Sequence, residues 1–275
     1  MSSHSAFAAA ADALAARVLG ALDGTGGAVQ LARYVDDAPD ALAALAAVRV
    51  LGADVFSPHL LVDQPFRTQD AATVAKAFDA FPPNDTSHEA TIARRDHATA
   101  VLLARFSGDD TLRTLAPAPA DDAELTESSG WSGWCVRMAQ LAPLATLGLD
   151  GPVHEAARGG ILPLCRGVSR SILRRDFPTA VRLVRWLAWL RHEGVELPLD
   201  PGLAGEHVLL VGGPGPRGAL DLAIYNAKKG DYKPESDIWT TYKDMPWNDG
   251  KDKTYNVPWT PVTAENVDKL LSTRK

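Results

Sequence analysis

A row of arginine side chains on one predicted helix is the feature whose residue types and spacing point most directly to chemistry. Arg166, Arg170 and Arg174 recur every fourth residue within a predicted helix over 163–175, so they share one face of it. We call these three residues the arginine stripe. Like charges at this spacing destabilise a helix by about 0.2–0.5 kcal/mol per pair, and no acidic residue on the helix offsets them. The stripe therefore predicts that negative charge from elsewhere lies beside it.

Three sources of that negative charge are open. Carboxylates of the same chain are one, because the first 150 residues contain 19 Asp and Glu residues against 10 Lys and Arg residues. A small anionic ligand is the second, and a nucleic acid backbone is the third. The formal net charge of −6 argues against nucleic acid, because its binding draws on a net electropositive face. We expect neutralisation within the chain or by a small anion.

Tryptophan and arginine alternate on the next predicted helix, over 178–193. Arg182, Arg185, Trp186 and Trp189 project from the side opposite to an aliphatic face. Arginine and tryptophan at this spacing can stack as cation–π pairs, worth about 0.5–1 kcal/mol at exposed sites. The tryptophans need cover from a ligand, from a partner protein, or from other helices that bury this helix on both sides.

The segment WSGWC adds two more aromatic rings, Trp131 and Trp134. Cys135 beside them is expected to pack as a small hydrophobic residue rather than to act as a nucleophile. We predict a pocket in which tryptophans form apolar walls and arginines hold an anionic group. The predicted ligand-binding residues are Trp131, Trp134, Arg170, Arg174, Arg182, Arg185, Trp186 and Trp189.

The acidic segment DDAPD contains Asp36, Asp37 and Asp40 and resembles the DDxxD motif of terpene synthases. In those helical enzymes the carboxylates bind magnesium, which holds a substrate diphosphate. The resemblance implies a magnesium- and diphosphate-dependent enzyme, and the arginine stripe would suit a diphosphate. The alternative is that Asp37 caps a helix N-terminus with Pro39 in its first turn.

Other catalytic signatures give no assignment. HExxH and GxSxG are absent, and no nucleophile–base pair stands out. We predict no cofactor, and whether the protein is an enzyme stays open.

The elements that must position these residues are mainly helical. Apolar residues at helical spacing predict helices over 4–22, 40–52, 134–148, 163–175 and 178–193. Another follows Thr68, and a capping box of Thr86 and Glu89 precedes one that runs to about Phe106. The compact run His207–Val211 predicts a strand ahead of a glycine-rich loop. The predicted fold is a multi-helix domain, either an orthogonal bundle or an α–α array.

The composition changes near residue 225. Up to Tyr225 there are 18 arginines and one lysine, whereas from Asn226 onward there are eight lysines and one arginine. The first part is rich in arginine and alanine, as is typical of high-GC bacterial genomes. We therefore predict a helical domain over 1–225 and a C-terminal extension of different origin over 226–275, irregular or β-like and ending in a helix after Thr263.

The extension resembles a known family. The segments ALDLAIYNAKKGDYKPES, from Ala219, and DMPWNDGKDKTYNVPWTPVTAENVDKLL, from Asp244, are similar to the C-terminal end of sugar-binding proteins of bacterial ABC transporters. In that family an extended stretch follows a late helix, and a short helix introduced by a phrase like PVTAENVD closes the chain. The resemblance implies solute binding for uptake. Residues 1–218 lack the alternating βα units of that two-lobed fold, and no site residue follows from the resemblance.

Location and partners follow from composition. No apolar run is expected to span a bilayer, Met1–Gly24 does not match a secretory signal, and two cysteines cannot form a disulfide framework. We expect a cytoplasmic protein that binds a small anionic molecule, with no membrane partner. The alternative is a non-enzymatic scaffold that uses the Trp/Arg face on another protein.

Overall fold

The computed structural model describes residues 3–83, 90–119, 125, 130–212, 218–221 and 223–224. Within these residues the protein is mainly helical and contains no strand, which confirms the prediction of a mainly helical protein. The chain divides into two compact units, Met1–Asp231 and Tyr232–Lys275. Every described residue belongs to the first unit, so the predicted C-terminal extension and its closing helix lie outside the described part, and the boundary at residue 225 stays a prediction.

Connections of different lengths join the described helices. In chain order they are α1 (Ser3–Leu22), α2 (Leu31–Asp36), α3 (Ala41–Leu51), α4 (Ser57–Leu61), α5 (Thr68–Ala80), α6 (Ala90–Ser107), α7 (Trp131–Gln140), α8 (Pro152–Gly159), α9 (Ile161–Leu173), α10 (Phe177–His192) and α11 (Pro201–Gly212). The 3-10 turns Gly52–Phe56, Asp110–Leu115 and Ala142–Leu144 accompany them.

The predicted helices correspond to α1, α3, α5, α6, α7, α9 and α10, and the structure adds α2, α4, α8 and α11. The helix predicted over 134–148 ends early, at Gln140, and a 3-10 turn follows it. Pro143 explains the change, because proline has no amide hydrogen for the helical ladder. The capping box of Thr86 and Glu89 lies outside the described residues.

The predicted strand His207–Val211 is wrong, because these residues belong to helix α11. The side chain of Asp200 accepts hydrogen bonds from the amides of Gly202 (2.7 Å) and Leu203 (3.1 Å), which caps the start of this helix. Val208 packs against Ala180 and Val181 of α10. Packing on α10 therefore outweighs the β propensity of the short aliphatic run.

Two large apolar clusters form most of the interior of the described part, and the small cluster of Ala180, Val181 and Val208 adds to them. The first joins residues of α1–α6 and includes Leu220 and Ile224. The second is built from α7–α10 and includes Ala98 of α6 and Ala204 of α11. Helix α10 lies at the centre of the second cluster, where its residues from Leu183 to Leu190 are all buried.

Both ends of α10 have residues that are typical of helix termini. The carboxylate of Asp176 accepts a hydrogen bond from the Thr179 amide (3.3 Å), and Pro178 lies in the first turn. Gly194 follows the last turn with a φ of 81°, a left-handed conformation that glycine adopts without strain.

Two helical stretches in the described residues are long and apolar enough to match a membrane span, contrary to the sequence analysis. They are Ser5–Asp23 and Ala41–Leu61. The second is 72% buried inside the protein and is interrupted by the 3-10 turn Gly52–Phe56. Core helices of folded domains have the same length and hydropathy, so these stretches are weak evidence for a membrane location.

Candidate functional site

The structure does not gather the eight predicted ligand-binding residues in one pocket. Trp131, Arg170 and Arg174 line one cavity. Arg182 lines a different cavity, and Arg185 is buried beside it. The remaining three, Trp134, Trp186 and Trp189, are buried in the second apolar cluster.

The first cavity, here called the Trp131 cavity, has a volume of about 240 Å³ and lies between α7, α9 and the start of α10. Gly167 allows these helices to approach closely. A methyl group there would lie 2.7 Å from Cys135 Sγ and 2.9 Å from a Leu183 methyl carbon. This close packing holds Arg170, one turn further along α9, beside the ring of Trp131.

Arg170 and Trp131 form a cation–π pair in this cavity. The guanidinium carbon of Arg170 lies 5.4 Å from the centre of the Trp131 ring. Arg174, one turn further on, also lines the cavity. Asp176 contributes the carboxylate of the wall, and this carboxylate caps α10 through the Thr179 amide.

Neutralisation within the chain is seen at other arginines but not at the arginine stripe. Arg158 forms ion pairs with Asp150, Glu155 and Glu193. In contrast, no carboxylate among the described residues lies within ion-pair distance of Arg166, Arg170 or Arg174. The acidic residues of the described N-terminal half do not reach this face of α9.

Arg185 lines none of the described cavities and instead connects parts of the interior. Its side chain is fully buried and forms ion pairs with Asp54 (2.6 Å) and Asp221 (3.1 Å). The guanidinium also donates hydrogen bonds to the carbonyl oxygens of Ala145 and Pro143, each at 3.2 Å. It thereby joins α10 to the 3-10 turn Gly52–Phe56 and to the helical residues around Asp221.

The buried tryptophans explain why the predicted Trp/Arg surface is absent. The indole N–H of Trp186 donates to the Met138 carbonyl (2.8 Å), and that of Trp134 donates to the Leu125 carbonyl (2.8 Å). Trp189 packs against the imidazole of His154, with ring centres 4.9 Å apart. Because helices cover both sides of α10, the face proposed for partner docking lies in the interior.

The three aspartates of DDAPD have local structural roles. Asp40, not Asp37, is the N-cap of α3, where it accepts a hydrogen bond from the Ala43 amide at 3.0 Å. Asp37 ends α2 and pairs with Arg33 at 3.3 Å, and Asp36 is exposed. Among the described residues, no group of three or more His, Cys, Asp or Glu side chains could hold a metal ion.

Sequence reasoning missed a third cavity of about 330 Å³, lined by His97 and His154 among others. Each imidazole has one ring nitrogen bound to a backbone carbonyl, His97 to Ala116 and His154 to Leu144, both at 2.9 Å. His97 and His154 lie on different helices and far apart in the chain, so no sequence motif could indicate that they line one cavity.

No protein-family model, curated protein or solved structure matches the sequence. The resemblance to ABC sugar-binding proteins concerns residues that are almost all outside the described part of the chain, and it stays a prediction.

Proposed function

We propose that the protein binds a small anionic organic molecule in the Trp131 cavity. The observation that carries this proposal is the cation–π pair of Arg170 and the Trp131 ring, with Arg174 on the same wall. No carboxylate among the described residues forms an ion pair with Arg170 or Arg174. Two guanidinium groups one helical turn apart repel each other, and an anion held between them would remove that repulsion.

The geometry of Arg170 suits such a ligand. Its contact with the flat face of Trp131 holds the guanidinium plane in place. A guanidinium presents five N–H donors in a fixed arrangement that matches carboxylate and phosphate oxygens. Arg174 adds a second positive group on the same wall.

The cavity limits the size of the ligand. A volume of about 240 Å³ corresponds to about eight water molecules at the volume of liquid water. Trp131 and Val136 supply the apolar part of the wall. The ligand class is therefore a carboxylate or phosphate with a small ring or a short aliphatic chain.

The proposal is one of binding rather than catalysis. The nearest thiol, Cys135, is buried, and its sulfur donates to the Pro163 carbonyl at 3.2 Å. Such a thiol is a packing group rather than a nucleophile. Both Cys135 and Cys165 are free, which fits a reducing compartment such as the cytoplasm.

Isothermal titration calorimetry with inorganic phosphate and with benzoate tests the proposal. We expect the double variant Arg170→Gln/Arg174→Gln to bind the better probe at least tenfold more weakly than the original protein. Arg166→Gln is the matched control, because Arg166 lies on the same helix but does not line the cavity. Equal weakening in both variants, or no binding of either probe to the original protein, would contradict the proposal.

A further inference from the structure

A second cavity, here called the Arg95 cavity, lies between α6, α10 and the 3-10 turn Gly52–Phe56. Its volume is about 180 Å³, and Arg95, Arg182, Asp54 and Asp221 carry the charges on its wall. None of its lining residues lines the Trp131 cavity. An inference about it is therefore independent of the proposed function.

The carboxylates of this cavity are already used by a buried arginine. Asp54 and Asp221 both form ion pairs with Arg185, at 2.6 Å and 3.1 Å. No carboxylate in the described part of the chain lies within ion-pair distance of Arg95 or Arg182. Three guanidinium groups against two carboxylates leave one unbalanced positive charge.

Arg95 is the group that this imbalance affects most. One of its terminal nitrogens donates to the Val50 carbonyl, whereas its buried Nε has no hydrogen-bond partner among the described atoms. Burial lowers the pKa of Arg95, and the charge of Arg182 acts in the same direction, while the charges of Asp54, Asp96 and Asp221 oppose it. Asp96 is itself paired with Arg49, so it does not change the charge balance. A bound anion would accept a hydrogen bond from the buried Nε of Arg95 and would reduce the repulsion between Arg95 and Arg182.

We propose that the Arg95 cavity binds a small monoanionic carboxylate between the guanidinium groups of Arg95 and Arg182. One negative charge balances the five charged groups. A volume of about 180 Å³ corresponds to about six water molecules, which suits a carboxylate of one to about four carbons. The amide of Gln140 on the same wall supplies a further polar group.

Asp221 gives binding at this site a pH dependence. Burial raises the pKa of Asp221 to about 6, and the charge of Asp54 adds to this, although Arg185 and Arg182 act in the opposite direction. Protonation of Asp221 removes a negative charge from the wall. Binding of a carboxylate is therefore tighter at about pH 5.5 than at about pH 7.5, where Asp221 is ionised.

Titration of the full chain with formate, followed by calorimetry, tests the inference. Formate stays ionised in this pH range because its pKa lies below about 4. We expect Arg182→Gln to weaken formate binding at least tenfold and Arg182→Lys, which keeps the charge, to weaken it less. Urea unfolding of both variants shows that they are folded, and Arg166→Gln is the control with unchanged affinity.

The outcomes separate this site from the Trp131 cavity. Formate binding that survives in Arg170→Gln/Arg174→Gln and strengthens at lower pH supports the Arg95 cavity. Formate binding that is lost in that double variant but retained in Arg182→Gln overturns the inference and leaves the proposed function standing. Absence of formate binding at about 100 mM overturns it as well.

Discussion

Replacement of Arg185 by methionine tests the buried ion-pair network most directly. The side chain is fully buried and balances both Asp54 and Asp221, so the substitution leaves two buried carboxylates without a cation. Removal of one partner of a buried ion pair costs about 3–5 kcal/mol. Two carbonyl oxygens, of Ala145 and Pro143, also lose their donor. Methionine is flexible and unbranched, so lost packing adds little. We expect a loss of at least about 4 kcal/mol.

Urea unfolding followed by far-UV circular dichroism measures this loss. With a denaturant slope of about 2 kcal/mol per molar, the midpoint falls by about 2 M. Arg166→Met is the matched control, since Arg166 is exposed, and its effect stays within about 0.5 kcal/mol. The triple variant Arg185→Met/Asp54→Asn/Asp221→Asn should recover much of the stability, because it leaves no buried carboxylate without its cation. A loss below about 1 kcal/mol in Arg185→Met would refute the reasoning.

The remaining predictions concern pH, close packing and a helix cap. Because the folded pKa of Asp221 is raised from 3.8 to about 6, the folded state holds this proton more tightly than the unfolded chain. The free energy of unfolding of the original protein, measured relative to that of Asp221→Asn, should therefore decrease as the pH rises from about 4 to about 6. A difference that does not depend on pH would contradict this. A methyl group at Gly160 would lie 2.6 Å from Cζ2 of Trp134, so Gly160→Ala should cost about 1–3 kcal/mol in urea unfolding. A methyl group added at Gly159 would meet no atom within 4 Å outside its own helix backbone and chain neighbours, so Gly159→Ala should cost nothing, and equal losses in the two variants would argue against the ring contact. Asp40→Ala should lose about 1 kcal/mol in thermal unfolding through its cap on α3, and an unchanged midpoint would show that the cap is dispensable.

Periodicity was sufficient to locate the long helices but not to show which of their faces is covered. Trp186 and Trp189 lie opposite an aliphatic face on α10, as the spacing predicts, yet both are buried. The cover on that side includes His154 of α8, a helix that the sequence did not predict. Its Pro152 at the start is a helix signal, but eight residues give too short a pattern for detection.

For the charged residues too, the sequence pattern predicts effects of near neighbours in the chain but not contacts between residues that are far apart in it. Residue type and spacing predict negative charge beside the arginine stripe, and no carboxylate among the described residues lies within ion-pair distance of it. The sequence pattern could not show that Asp54 and Asp221 supply negative charge to Arg185, because both partners are far from Arg185 in the chain. The placement of Arg170 over Trp131 joins two residues that the sequence analysis assigned to one site.

The position of Arg185 between the two apolar clusters has a consequence for how the chain can evolve and unfold. Its own neighbours on α10 belong to one cluster, whereas Ala53 and Leu220, next to its two carboxylate partners, belong to the other. If the half of the chain that forms the first cluster separated from the half that forms the second, Arg185 or its two carboxylate partners would be left unpaired in an apolar interior. We therefore expect the halves to melt in one cooperative transition, and the three charged positions to tolerate substitution only as a set.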